Sequence, residues 1–368
     1  MSARGEGEKG SVAGKGALAA RPEIREFRAY TLVPPPVAAV RAKLDFNESP
    51  FDVPDELKEI VLSRLARRRW AHYPEFGAPR LTEAIAAVAG RRPEEVVVGN
   101  GSGELLLAAI TVFAGNGGRL LLAPPTFSLY RQLAVLAGAS LVEVPRGAPD
   151  FPVDEEGFLR AAEVPGTLPL VCSPNNPTGN VTSTEFLERL SAASGVVLAD
   201  QAYVDFAEPG DDARPLLDRT ENLIVFRTLS KAFSAAGFRI GYALAPAPVA
   251  AELRKAVLPF SVDAAAEELA VALLSNPGFS RRSVDTVREG RDRLAADLAA
   301  LGAVVAPSRS NFLFFTIPGA AGSEIAAGLA RRGVLVRELS AAAEGYLRVT
   351  VGTAEENGIF LEALKEAR

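Results

Sequence analysis

From Arg119 onward the chain alternates short apolar runs with segments of helical length: LLLA at 120–123, LVEV at 141–144, PLVC at 169–172, VVLA at 196–199, LIVF at 223–226 and GYALA at 241–245. Runs that are apolar at nearly every position suit strands buried on both faces. The pattern therefore predicts an α/β chain with a mostly parallel sheet covered by helices. The intervening segments carry helix-start signals. Thr182 with Glu185 three residues on fits a capping box ahead of FLERL, and Thr353 with Glu356 fits another ahead of the last helix. Past Pro277, SRRSVDTVREGRDRLAADLAAL sets Val284, Val287, Leu294, Leu298 and Leu301 mainly on one face of a long helix. VVAP, NFLFFTI, a helix, VLVREL, YLRVTVG and a final helix then complete a smaller α+β unit. These boundaries predict a tail over 1–20, an arm over 21–50 that joins the small domain, a large domain over 51–277 and a small domain over 278–368. The tail is rich in Gly, Ala and charge without an apolar period and is expected to be mobile.

Composition narrows the classes of function. With 48% hydrophobic and 23% charged residues, the 368-residue chain has ample material for a folded core. A formal net charge of -5 argues against nucleic acid as a partner, because phosphate backbones are held by clustered Lys and Arg. No run approaches the roughly 18 consecutive apolar residues of a membrane-spanning helix. The start, MSARGEGEKGSVAGKGALAA, lacks the apolar core of a signal peptide, so a cytoplasmic protein without a membrane partner is expected. The single cysteine, Cys172, reads as a small buried hydrophobe. The single histidine, His72, excludes multi-histidine metal sites and reads as a structural or surface residue, so no metal is expected.

Ligands of open α/β sheets bind beyond the carboxyl ends of the strands, so the residues just past each apolar run are the first candidates. Four such places are chemically loaded: GNGSGE (99–104), SPNNPTG (173–179), DQAY (200–203) and RTLSKAFSAAGFRIGY (227–242). Each alone has a plain structural reading. A Gly-rich strand-to-helix turn serves packing as readily as phosphate binding, SPNNPTG is by composition a turn, and an Asp after a strand often caps a helix. The ordered set is far more specific: SPNNPTG, then DxxY, then SK with an arginine eight residues after the lysine.

This set resembles the motifs of fold-type-I, pyridoxal-phosphate-dependent aminotransferases. It is most similar to those of the histidinol-phosphate aminotransferases, a resemblance that LDFNESP (44–50), YPEFG (73–77), PPTFSLY (124–130) and LRVTVGT (347–353) also carry. The similarity runs from about Tyr30 to the C-terminus. It implies that Lys231 holds pyridoxal phosphate as a Schiff base, and a lysine beside Arg239 and screened from water would lose its charge readily. Asp200 would face the pyridine nitrogen, while Asn176 and Tyr203 would bond the cofactor's 3′ oxygen. Phe127 would stack on the ring, although an ordinary core Phe suits the residue type equally. Backbone donors at Ser102 and Gly103, with Thr228, Ser230 and Arg239, would cup the phosphate. Tyr73 would reach the phosphate held by the neighbouring subunit, making the enzyme a homodimer with shared sites. Arg348, Arg337, Tyr30 and Asn47 fall at substrate positions. Gln201 departs from the usual DEAY without touching the acidic ligand.

The implied reaction is ping-pong transamination of histidinol phosphate with 2-oxoglutarate, giving imidazole-acetol phosphate and glutamate in histidine biosynthesis. Aromatic amino acid aminotransferases share every cofactor motif, and a phosphothreonine decarboxylase shares the fold, so both alternatives stay open at this point. A cofactor-binding regulatory module finds no support, because the first 20 residues are too short and polar for a DNA-binding appendage.

Overall fold

The computed structural model describes residues 20–26 and 39–367. A short helix, α1 (Pro22–Glu26), stands in the first of these segments. In the second, the helices are α2 (Asp55–Arg67), α3 (Pro79–Ala89), α4 (Ser102–Ala114), α5 (Leu129–Ala137), α6 (Glu155–Ala162), α7 (Thr184–Ala193), α8 (Ala247–Arg254), α9 (Ala264–Leu274), α10 (Pro277–Ala300), α11 (Gly322–Arg331) and α12 (Ala354–Ala367). The strands are β1 (Ala42–Lys43), β2 (Val96–Asn100), β3 (Arg119–Leu122), β4 (Ser140–Glu143), β5 (Thr167–Cys172), β6 (Val197–Asp200), β7 (Leu223–Thr228), β8 (Ile240–Leu244), β9 (Val304–Val305), β10 (Phe312–Thr316), β11 (Val334–Leu335), β12 (Arg337–Glu338) and β13 (Tyr346–Thr350).

Seven strands form one sheet in the order β2-β8-β7-β6-β5-β3-β4, parallel except at β8, which runs antiparallel to both neighbours. The continuous apolar runs have a simple cause: successive side chains of a strand point to opposite faces, and here both faces are cores. Along β7, Leu223 and Val225 join one core while Ile224 and Phe226 join the other. Along β6, Val197 and Ala199 face the first and Leu198 the second. Leu57, Leu81, Phe186 and Leu269 close the first core, and Leu105, Tyr130 and Leu253 close the second. Each such side chain contributes roughly 1.5–3 kcal/mol on burial. The run LVEV departs from the expected two-sided burial, because β4 is the outermost strand and its Ser140, Leu141 and Glu143 are exposed.

A second, antiparallel sheet has the order β12-β13-β10-β9. Its core gathers Val287, Leu294 and Leu298 of α10 with Phe315, Val349 and Phe360, flanked by Val284 and Leu301, which is the helical face read from spacing. β1 pairs in parallel with β11, and Ala42 and Leu44 enter the same core. No helix among the described residues is long and apolar enough to cross a membrane.

Of the two expected capping boxes, the one at α12 is present: Thr353 N donates to Glu356 Oε2 at 2.8 Å and Glu356 N to Thr353 Oγ1 at 3.2 Å. At α7 the cap shifts by one residue. Ser183, not Thr182, is the N-cap, its Oγ accepting from Phe186 N at 3.1 Å. Thr182 is instead drawn into the preceding loop, where its N–H donates to Ser173 Oγ at 3.0 Å and its buried Oγ1 has no hydrogen-bond partner among the described residues. Ser183→Ala should therefore lower stability by about 1 kcal/mol in urea unfolding. Thr182→Val should be neutral or stabilising, since it removes an unpaired buried hydroxyl. The reverse ranking would return the cap to Thr182.

Candidate active site

A cavity of about 400 Å³ opens where β5, β6 and β7 end and α4 begins. Its wall includes Asn176 after β5, Asp200 at the end of β6, Thr228, Ser230 and Lys231 at and beyond the end of β7, Ser102 and Gly103 in the first turn of α4, and Phe127, Tyr203 and Arg239. The fold thus brings together ten residues that lie in five separated motifs. Four other candidates do not line it. Asn47 is buried and its Nδ2 donates to the Tyr203 hydroxyl at 3.1 Å. Arg348 Nη1 donates to Asn176 Oδ1, and its Nη2 to the Asp45 carbonyl, each at 2.6 Å. Arg337 faces Arg348 directly in the β12–β13 register. Tyr73 is exposed and stacks on Phe260 with ring centroids 4.7 Å apart. Tyr30 lies outside the described residues. His72 is exposed and Cys172 buried.

Lys231 Nζ donates to the Phe46 carbonyl at 3.0 Å. Burial pushes this amine down to about 7, aided first by the guanidinium of Arg348 and then by Arg239, with Glu48 opposing. Arg239 had been the expected neighbour; Arg348, remote in sequence, acts more strongly because β13 passes beside the lysine. Asp200 is buried, which raises its carboxyl above the usual range. Hydrogen bonds from the Tyr130 hydroxyl to Oδ2 at 2.6 Å and from Ala202 N to Oδ1 at 3.1 Å work the other way and favour the carboxylate. The Tyr203 hydroxyl is pushed up to about 12 by burial. Its oxygen accepts from Asn47 Nδ2 and, at 3.4 Å, from Asn176 Nδ2, so its own proton is left to donate into the cavity.

Reading by sequence missed Tyr130, Glu48, Phe46 and Arg146. Tyr130 had a usable signal, since it follows Phe127 by three residues at the start of α5 and the two rings meet edge to face at 5.5 Å. Arg146 had none. It is buried, donates to the carbonyls of Ala123 and Phe151 at 3.0 and 3.1 Å, and is pushed down by burial to about 10.

Residues 41–364 match the family of class I and II aminotransferases. The chain belongs to this family. The aminotransferase is 36% identical over 346 residues to the histidinol-phosphate aminotransferase of Thermococcus kodakarensis, covering 94% of this chain and 97% of that one. It is 39% identical over 329 residues to the enzyme of that name from Chlorobaculum tepidum, covering 88% and 93%. Its fold matches that of histidinol-phosphate aminotransferase from Sinorhizobium meliloti, solved in complex with pyridoxal-5′-phosphate, with a TM-score of 0.85 at 22% identity over 96% of this chain and 99% of that one.

Pyridoxal phosphate, the cofactor of this aminotransferase, is matched by the donors that the cavity offers. An anion is served by the first N–H groups of α4 together with Arg239, Thr228 and Ser230. The approach is kept open by glycines: a Cβ at Gly101 would strike the Arg239 guanidinium, and one at Gly241 would strike Ser102 N. Gly101 also has φ +78, a conformation few L residues adopt. A protonated ring nitrogen is served by the buried Asp200, and an aldehyde by the Lys231 amine.

The lysine shift sets a pH dependence. Only a neutral amine captures an aldehyde, and with the folded value near 7 instead of 10.5 the neutral fraction rises through pH 7 and is nearly complete by pH 9. The rate of covalent capture of pyridoxal phosphate by cofactor-free protein should climb from pH 5.5 and level above about 8. Stopped-flow absorbance measures it, with Lys231→Ala as the blank. Arg348→Gln should move the plateau to higher pH, because the cation that helps depress Lys231 is gone; an unmoved profile would separate the two residues.

Proposed function

We propose that this aminotransferase transfers the amino group of histidinol phosphate to 2-oxoglutarate, yielding imidazole-acetol phosphate and glutamate in histidine biosynthesis. We infer further that it works in the cytoplasm as a homodimer with shared active sites, built from a large domain over 51–277 and a small domain over 278–368. The observation that carries the reading is the meeting in one cavity of the Lys231 amine, the buried Asp200 carboxylate and the cationic cup at Arg239. Relatives named for the same activity support the choice of substrate.

When bound, pyridoxal phosphate supplies an aldehyde that condenses with amines and a ring that takes up the electron pair left when the substrate carbon loses its proton. Asp200 would hold the proton on the ring nitrogen, Tyr203 and Asn176 would direct hydrogen bonds at the 3′ oxygen, and Phe127 would cover one ring face. Lys231 would take the proton from the substrate's amine-bearing carbon and return it, a task suited to an amine whose value lies near 7. Release of the keto product and entry of the second substrate run the same steps backwards.

The anionic end of the substrate falls to Arg348 and Arg337. The two stand directly opposite across β12 and β13, which places both within reach of a single anion on that face. A phosphate monoester carries about -1.5 to -2 charge at neutral pH and can engage two guanidinium groups, whereas a carboxylate brings only one charge. Arg337→Ala should lose roughly 10–100-fold in kcat/KM for histidinol phosphate and clearly less for glutamate. Each half-reaction is followed separately by the cofactor's absorbance. Equal losses, or a wild type that prefers phenylalanine or tyrosine, would transfer the assignment to the aromatic aminotransferases. Asp200→Ala should still bind cofactor through the phosphate cup yet transaminate at least about 100-fold more slowly; single-turnover rates near those of the wild type would remove Asp200 from the ring.

A further inference from the structure

The loop between α2 and α3, residues 68–78, carries the three most exposed large apolar side chains of the described residues: Trp70 at 83%, Tyr73 at 81% and Phe76 at 75%. So little burial cannot hold it in one shape. Tyr73 and Phe76 both lean on Phe260, itself 40% exposed. The firmer hold is electrostatic. Arg80, two residues past the loop, grips Glu268 of α9 with Nη1 on Oε1 at 2.6 Å and Nη2 on Oε2 at 3.1 Å. Arg68, the loop's first residue, reaches the same Oε1 at 3.2 Å and Glu267 Oε2 at 3.4 Å. Both ends of the loop are therefore tied to one side chain.

That side chain is well anchored. Glu268 is 3% exposed, and α9 packs its Leu269 and Leu273 into the core of the large sheet. A buried carboxylate deprived of a cation is strongly penalised, which makes the tie stiff. The Arg80 hydrogen bond holds the Glu268 carboxyl below the usual range.

We propose that Glu268 is a positioning residue for the active site of the second subunit: by clamping both ends of loop 68–78 through Arg68 and Arg80, it sets the reach of Tyr73 to the cofactor phosphate across the interface. The proposal rests on the shared-site reading above. A clamp of purely local purpose would serve only the stability of its own subunit.

Arg80→Gln is the primary variant, since it spares the buried residue; Glu268→Gln is the second. In either, hydrogen exchange across 68–78 should quicken. The dissociation constant of pyridoxal phosphate, titrated by fluorescence, should rise roughly 10-fold, the lower end expected for loss of a charge-assisted hydrogen bond. Combining Arg80→Gln with Tyr73→Phe should weaken binding no further than Tyr73→Phe alone. Subunit exchange with Lys231→Ala protein then decides direction. Every site that keeps Lys231 in a hybrid receives its loop from the unclamped variant's partner, whose clamp is intact, so the absorbance of lysine-bound cofactor should titrate with wild-type affinity. Unchanged affinity in both single variants, or additive losses in the double variant, overturns the proposal. So does a failure of the hybrids to recover while Tyr73→Phe mixed with Lys231→Ala does recover, since the loop then crosses but the clamp does not act through it. If neither mixture recovers after proven exchange, the shared-site reading falls and takes the proposal with it.

Discussion

A lysine amine held out of water beside arginines gives up its proton near neutral pH, and the surroundings of Lys231 are arranged to keep it in that position. Three parts of the chain contribute. β7 ends at Thr228 and the bend that follows carries Lys231 into the cavity, the segment after β1 offers the Phe46 carbonyl, and β13 brings Arg348 alongside. Desolvation is the largest influence, in a cavity wall that Phe46, Phe127 and Tyr203 share with the lysine.

The same dependence on distant segments governs Tyr203. Its hydroxyl is held by Asn47 and Asn176, Asn176 in turn accepts from Arg348, and Asn47 is fixed by the Thr350 hydroxyl and by Asn311. Asn47 sits at φ 54, a conformation that Asn tolerates better than most residues, and there its amide turns toward the phenol. One hydrogen-bonded chain thus joins the segment after β5, the turn after β6, the segment after β1, the residue before β10 and strand β13 of the smaller sheet. An oriented phenol proton is the product of all of them.

Legibility in the sequence followed the range of the interactions. Strands β3, β5, β6, β7 and β8 were plain because two-sided burial writes itself as an unbroken apolar run, and β4 misled because a similar run served an edge. Lys231, Asp200, Tyr203 and Asn176 could be placed near one another because each follows a strand of one parallel sheet, where topology alone makes them neighbours. Tyr130, whose hydroxyl reaches Asp200 across 70 positions, and Glu48 could not, since nothing local marks a partner that the fold supplies. The displaced cap at Ser183 is the same effect on a small scale: Thr182 fitted the local rule, but the hydrogen bond to Ser173 claimed its backbone for the loop.

The two sheets divide the charged groups between them. Lys231, Asp200 and the phosphate cup belong to the seven-stranded sheet and its turns, whereas Arg337 and Arg348 belong to the four-stranded one. Their opposition is fixed by register, with Phe314 next in the same row across β10. A register slip of one residue would turn Arg348 to the other face, so the position of this cationic pair is as firmly determined as the fold of the sheet. Substitution at Arg337 can then change the charge opposite Arg348 without disturbing the strand ends that line the cavity. Arg348 lacks that freedom, because it also braces Asn176 and depresses Lys231, and so it ties the four-stranded sheet to the protonation of the amine in the cavity. A negative charge placed beside Arg348 would offset part of its positive field on Lys231 and raise that amine's affinity for a proton.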